Sequence, residues 1–160
     1  MKKYVNYEHE FYGFDTFEGI PAHRESDKLF IPGSFAASLD EVEKKCKKAG
    51  MRYRLFKGLF SDISDNDFKE LPPAAIVNID SDLYISARDA LEKVKEKLQQ
   101  GTILLMDDYN CFSSMDSRGE RKALKEFCRK YPQFTFEPWI LYHFAGQAFI
   151  CHIDRERSSL

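Results

Sequence analysis

A chain of 160 residues is long enough to bury one core and too short for two domains of ordinary size. A hydrophobic fraction of 43% and a charged fraction of 31% mark a folded globular protein rather than a disordered one. With 24 basic against 26 acidic residues, the net charge of −2 gives no electrostatic reason to expect nucleic acid. No apolar run nears the roughly 20 residues that span a bilayer, which argues against a membrane partner, and the first ten residues carry no apolar export signal. Cys46, Cys111, Cys128 and Cys151 are widely spaced with no C-x-x-C pair. They read as small buried hydrophobes in a reducing, cytoplasmic setting. A single domain over residues 1–160 is expected, with an atypical segment at 1–10 and a tail at 155–160.

In chain order, the apolar run at 11–14 predicts a first strand. Ser38 then precedes Leu39, Val42, Cys46 and Ala49, with Glu41 three residues past the cap and Gly50 at the end, which predicts a capped helix. Strands follow at 52–56 and 74–79. Ser86, with Asp89 in the reciprocal position, opens a second helical stripe of Ala87, Ala90, Leu91, Val94 and Leu98 that closes at Gly101. Another strand is expected at 102–106. Ser117, with Glu120 as its reciprocal cap, opens a third helix through Ala123, Leu124, Phe127 and Cys128 that stops at Pro132. Runs at 135–141 and 147–153 around Ala145-Gly146 predict an antiparallel pair.

Strands alternating with capped helices imply an α/β fold with a doubly wound, mostly parallel sheet and helices on both faces. Ligands of such sheets bind at the carboxyl ends of the strands, which here carry Asp15, Gly58, Asp80 and Asp107. Asp80-Ser81-Asp82 and Asp107-Asp108 each follow an apolar strand. If the two strands are neighbours, four carboxylates converge and raise one another's pKa unless a cation neutralises them. A hard cation with oxygen ligands, Mg²⁺ above all, suits that set. The plainer alternative is that each Asp caps the turn or helix after it.

The motifs 11–21 (Phe-Tyr-Gly-Phe-Asp-Thr-Phe-Glu-Gly-Ile-Pro), 57–62 (Lys-Gly-Leu-Phe-Ser-Asp), 79–86 (Ile-Asp-Ser-Asp-Leu-Tyr-Ile-Ser) and 106–109 (Met-Asp-Asp-Tyr) resemble the macrocin O-methyltransferase family, in order and at its spacing. Gly119-Glu120-Arg121 and Gln147-Ala148-Phe149-Ile150 fit as well, so the likeness runs from about Phe11 to Asp154. It implies a class I methyltransferase of Rossmann-like fold that methylates a hydroxyl of a sugar or other small molecule, with S-adenosylmethionine and Mg²⁺. On this resemblance Asp80, Asp107 and Asp108 are metal ligands and Asp82 is the general base, or else a further ligand. Asp15 accepts hydrogen bonds from the cofactor ribose, while Phe60, Ser61 and Asp62 lie near the adenine. Tyr84 and Tyr109 are at most wall residues, and His143 reads as a turn histidine. Residues 22–35 and 110–116 are candidates to line the acceptor pocket.

The family places a first strand and a glycine-rich turn ahead of the segment at Phe11, whereas no G-x-G occurs in this chain and residues 1–10 hold no glycine. The strands ending at Asp15 and Asp80 are therefore expected not to pair directly. A fragment of a longer protein, a homo-oligomer in which a second copy supplies the strand, and a smaller rearranged sheet are the alternatives. A non-catalytic binding or oligomerisation module that keeps the metal is the rival function. The D-x-D at Asp80 is also similar to that of haloacid-dehalogenase-type phosphatases. Their catalytic lysine would have to come from Lys93, Lys95 or Lys97, on a helix face. The D-x-D of glycosyltransferases is a shorter likeness still.

Overall fold

The computed structural model describes residues 9–22, 30–112 and 117–154. The six expected strands form, each within two residues of the bounds set by its apolar run: β1 (Glu10–Asp15), β2 (Arg52–Lys57), β3 (Ile76–Ile79), β4 (Ile103–Met106), β5 (Phe134–Tyr142) and β6 (Gly146–Ile153). β1 pairs with β2 and β3 with β4 in parallel, whereas β6 runs antiparallel to both β4 and β5. The α/β class stands. A two-stranded sheet β1-β2 and a four-stranded sheet β3-β4-β6-β5 share no hydrogen-bonded ladder, and antiparallel pairs equal parallel ones. As expected, β1 and β3 are not hydrogen-bonded to each other, and each has one bonded neighbour among the described residues.

Helix α1 (Leu39–Ala49) keeps its predicted ends. The Ser38 hydroxyl accepts the Glu41 N–H, the Glu41 carboxylate accepts the Ser38 N–H, and Gly50 adopts the left-handed conformation at the other end. The other two caps are corrected. Helix α3 (Tyr84–Val94) begins ahead of Ser86, with Leu83 at its N-cap and no side-chain cap. The chain turns directly from the strand end into the helix, and Ala87 N–H already bonds Leu83 C=O at 3.0 Å. Helix α4 (Gly119–Lys130) begins after Arg118, again without a side-chain cap, so Ser117 caps nothing and Glu120 turns inward. A short helix α2 (Asp65–Lys69) was not anticipated, because five residues carry too little periodicity. Its Ser64 cap accepts the Asn66 N–H at 3.2 Å.

The main core lies where β3, β4 and β6 present alternate residues to α3 and α4. Val77, Ile79, Leu104, Met106, Phe149 and Cys151 meet Ala87, Leu91, Leu124 and Phe127 there. Full burial of one such Leu or Phe contributes about 1.5–3 kcal/mol. Helices on both faces were expected. Among the described residues α3 and α4 pack on one face, and Ile76 on the other is 61% exposed. A second cluster sits under β1 and β2, where the Phe14 ring stacks on Phe56 at 4.7 Å and on Phe68 of α2 at 4.6 Å. The four cysteines are free; Cys151 is buried as expected, whereas Cys46, Cys111 and Cys128 are only half-buried. No helix among the described residues is long and apolar enough to cross a membrane.

After β1 the chain folds against residues 31–34. Ile20 N–H bonds Ser34 C=O at 3.0 Å, and Gly33 N–H bonds Ile20 C=O at 2.9 Å. Gly19 makes the turn at φ +83°, and a Cβ on it would meet the Gly33 carbonyl at 2.8 Å. Gly19→Ala is expected to destabilise the protein by roughly 1–3 kcal/mol, read as a lowered urea midpoint.

Candidate active site

The register of β3 against β4 creates the site. Ile79 stands opposite Met106, so Asp80 and Asp107 leave the sheet side by side, and Asp107 N–H donates to Ile79 C=O at 2.9 Å. Two residues on, Asp82 adopts a left-handed conformation at φ +56°, which Asp tolerates better than most side chains. At the end of β1, Asp15 C=O accepts Gly58 N–H at 2.9 Å and the Asp15 carboxylate accepts the Phe17 N–H. Asp15, Asp80, Asp82, Asp107 and Asp108 all line one cavity of about 620 Å³. Small-molecule sites run from about 300 to 1,000 Å³. The two sheets therefore share a site although they share no ladder.

The electrostatics follow from crowding like charges at half-buried strand ends. Burial, then the facing Asp107 and Asp108, raise the Asp80 carboxyl above its ordinary range; Asp15 adds to this and His143 opposes it. Burial and the neighbouring Asp108 push Asp82 up to about 7. Burial, with a contact to Asp108 Oδ1 at 3.1 Å, drives the Cys111 thiol to about 12, so it stays protonated. The Tyr142 phenol is also raised by burial and by Asp107; among the described residues its buried hydroxyl and the buried Ser81 Oγ meet no partner at hydrogen-bond distance. Glu120, wholly buried behind the cluster, is pushed well above its ordinary value by burial and then by Asp108. Among the described residues, no three His, Cys, Asp or Glu side chains already stand arranged to hold a metal ion. The carboxylates share a cavity without being gathered about one point.

Of the other residues singled out from sequence, Phe60 and Ser61 line the cavity. Asp62 does not line it; its carboxylate accepts the Ser61 hydroxyl at 2.9 Å. Tyr84 and Tyr109 pack: Tyr84 donates to Glu126 at 2.6 Å, and Tyr109 meets Phe149 edge-on at 4.9 Å. His143 does sit in a turn, and it also lines the cavity. Its Nδ1 accepts Ala145 N–H at 3.2 Å, so in the neutral ring Nε2 carries the proton, and that atom faces Asp107 Oδ2 at 3.3 Å. Within the candidate loop 22–35, Ala22, Ser34 and Phe35 line the cavity, while 23–29 fall outside the described residues. In 110–116, residues 113–116 fall outside them too, and Asn110 turns away to accept from Arg121.

Sequence reasoning missed Ser86 and Asp89, which were read as a cap pair and instead line the cavity from the first turns of α3. It also missed Phe144, which is 90% exposed at the rim, facing the same opening as Phe35. An exposed aromatic beside a turn histidine was the available signal. The lysines that a phosphatase would need are engaged elsewhere. Lys93 bonds Ile63 C=O at 2.7 Å, Lys97 bonds Leu71 C=O at 2.6 Å, and Lys95 bonds the Tyr131 hydroxyl at 3.3 Å. None lines the cavity, which removes that alternative.

Known proteins resemble this chain in sequence and in fold. The profile of the macrocin O-methyltransferase (TylF) family matches residues 1–131. A Streptomyces olivaceus protein, 8-demethyl-8-(2,3-dimethoxy-alpha-L-rhamnosyl)-tetracenomycin-C 4'-O-methyltransferase, is 30% identical over 111 residues, covering 59% of this chain and 40% of its own. Among solved structures, the O-methyltransferase NovP superposes with a TM-score of 0.70 at 21% identity over 87% of this chain and 58% of NovP. An O-methyltransferase from Bacillus cereus, solved in complex with SAH, superposes with a TM-score of 0.54 at 12% identity, over 91% of this chain and 74% of that one. The chain thus spans less than two thirds of the length of the curated relative and of NovP. With the family profile covering most of its length, the chain belongs to the macrocin O-methyltransferase family.

Proposed function

We propose that this chain carries the methyl-transfer site of an S-adenosylmethionine-dependent O-methyltransferase that acts on a hydroxyl of a sugar or other small molecule, with Mg²⁺ at Asp80, Asp107 and Asp108. The observation that carries this reading is the meeting of the acidic ends of β3 and β4 with Asp15 of β1 in one cavity. The donor set fits a hard divalent cation: every candidate ligand is a carboxylate, and mutual repulsion is what such a cation relieves. Once bound, it would hold acceptor oxygens and lower the pKa of a hydroxyl.

The chain's own residues supply the rest. Asp82, beside these carboxylates, takes the acceptor hydroxyl proton; before the cation binds, burial and Asp108 hold it at about 7. The Asp15 carboxylate receives ribose hydroxyls at the end of β1, as acidic residues do in related α/β sites, with Phe60 and Ser61 alongside. Through Nε2–H, His143 orients Asp107. Phe35 and Phe144 form an apolar rim that shields the acceptor from water. A second reading, a cation-binding module without methyl transfer, rests on the same carboxylates at the ends of β3 and β4. A homo-oligomer that covers the edges of β1 and β3 left unpaired among the described residues belongs to either reading, and a monomer by light scattering counts against it.

Calorimetry with S-adenosylmethionine separates the two. Micromolar binding that Asp15→Ala abolishes is expected; no heat, alongside intact Mg²⁺ uptake, selects the module. In a binding-competent protein Asp82→Asn is expected to cut methyl transfer by about 10²–10⁴-fold, the usual worth of a general base, while cofactor binding persists.

The carboxyl shifts also set a pH dependence. In chelator the folded state binds more protons than the unfolded chain between the ordinary Asp value of 3.8 and about 7. Stability is therefore greatest on the acid side of that window and is lost as pH rises through the folded value. The thermal midpoint in EDTA is expected to be higher at about pH 5.5 than at about pH 8, with Mg²⁺ restoring it at the higher pH and Asp82→Asn flattening the dependence.

A further inference from the structure

Beyond the last paired residues, Ile79 and Met106, the two acidic turns separate: one enters α3, and the other runs on through Asn110. Among the described residues, a side chain from another element bridges them. Glu120, in the first turn of α4 and 0% exposed, accepts Ser81 N–H on Oε1 at 3.3 Å and Asp108 N–H on Oε2 at 3.0 Å. These partners lie 39 and 12 residues away in sequence, so the contact is tertiary and not a local turn. The helix start can come this close because Gly119 lacks a side chain. At φ +55°, a Cβ there would lie 2.6 Å from the Phe112 ring and 3.7 Å from Asp82 C=O.

A carboxylate offers two acceptor atoms at a fixed separation to two N–H groups, one in each turn. An apolar side chain would leave both unpaired in a buried place. We propose that Glu120 is the positioning residue of the acidic site, setting the spacing of the Asp80–Asp82 turn against Asp107-Asp108 and thereby the site's affinity for a divalent cation. The proposal rests on the cation reading above. Glu120 does not touch the cation or the substrate in this account. It acts through the backbone that carries Asp80, Asp82 and Asp108.

Mn²⁺ alone is the probe, titrated calorimetrically into wild type, Asp107→Ala and Glu120→Gln, with amide hydrogen exchange followed at Ser81 and Asp108. Glutamine keeps the shape but turns an NH₂ toward one of the two N–H donors. Glu120→Gln is expected to retain the wild-type circular dichroism, weaken Mn²⁺ binding at least tenfold and speed exchange at one of the two amides. A merely structural role would lower the unfolding temperature and leave the affinity of the folded protein unchanged, and that result overturns the proposal. Should Glu120→Gln not fold, Glu120→Asp, one methylene too short to span both donors, is read in the same way. Wild-type protein that takes up no Mn²⁺, or that takes it up equally after Asp107→Ala, sinks the cation reading and Glu120's role toward it. Unchanged exchange at both amides overturns the bridge itself.

Discussion

Everything at this site descends from one strand pairing. Because β3 and β4 run parallel with Ile79 level with Met106, both strands release an Asp at the same height. Antiparallel pairing would have put those ends at opposite edges of the sheet. The sheet thus concentrates negative charge in a half-buried place, and the surrounding groups read as responses to that concentration. Glu120 takes up the N–H groups of the two turns, His143 presents an N–H to Asp107, and Asp82 holds its proton to about 7.

The second constraint is the division of the sheet. The Phe14–Phe56–Phe68 stack gives β1 and β2 a core of their own, and the larger core belongs to the sheet that carries β3 and β4. What brings the two together functionally is the cavity, walled by Asp15, Thr16 and Gly58 on one side and by Asp80, Asp82 and Asp107 on the other. A site built between two sheets that share no ladder relies on loop packing for its width. The hydrogen bonds joining residue 20 to residues 33 and 34 therefore matter to function as much as to folding.

Those responses also explain which errors sequence reasoning made. Ser38 caps α1 as read because its capping box is local, closed within four residues. Ser86 and Ser117 carry the same signature, and tertiary contacts redirect both. α3 starts straight from the strand end and turns Ser86 and Asp89 to the cavity, while Glu120 is pulled from its own helix toward two distant amides. A capping motif records a local preference, and a buried pair of unpaired N–H groups outweighs it.

The strands were legible in the sequence to within two residues, since apolar runs bounded by turn residues admit little else. The sequence also determined the acidic constellation, since Asp80, Asp82, Asp107 and Asp108 stand at fixed offsets from those runs. It could suggest, but not establish, that the two acidic ends meet. Strand adjacency and register are long-range pairings that no local period encodes. That meeting, the split of the sheet, the turning of Ser86, Asp89 and Phe144 to the cavity, and the burial of Glu120 follow from packing in three dimensions. Each of these depends on which surfaces pack together, and packing between residues 12 or 39 positions apart leaves no mark on either residue's neighbours in the chain.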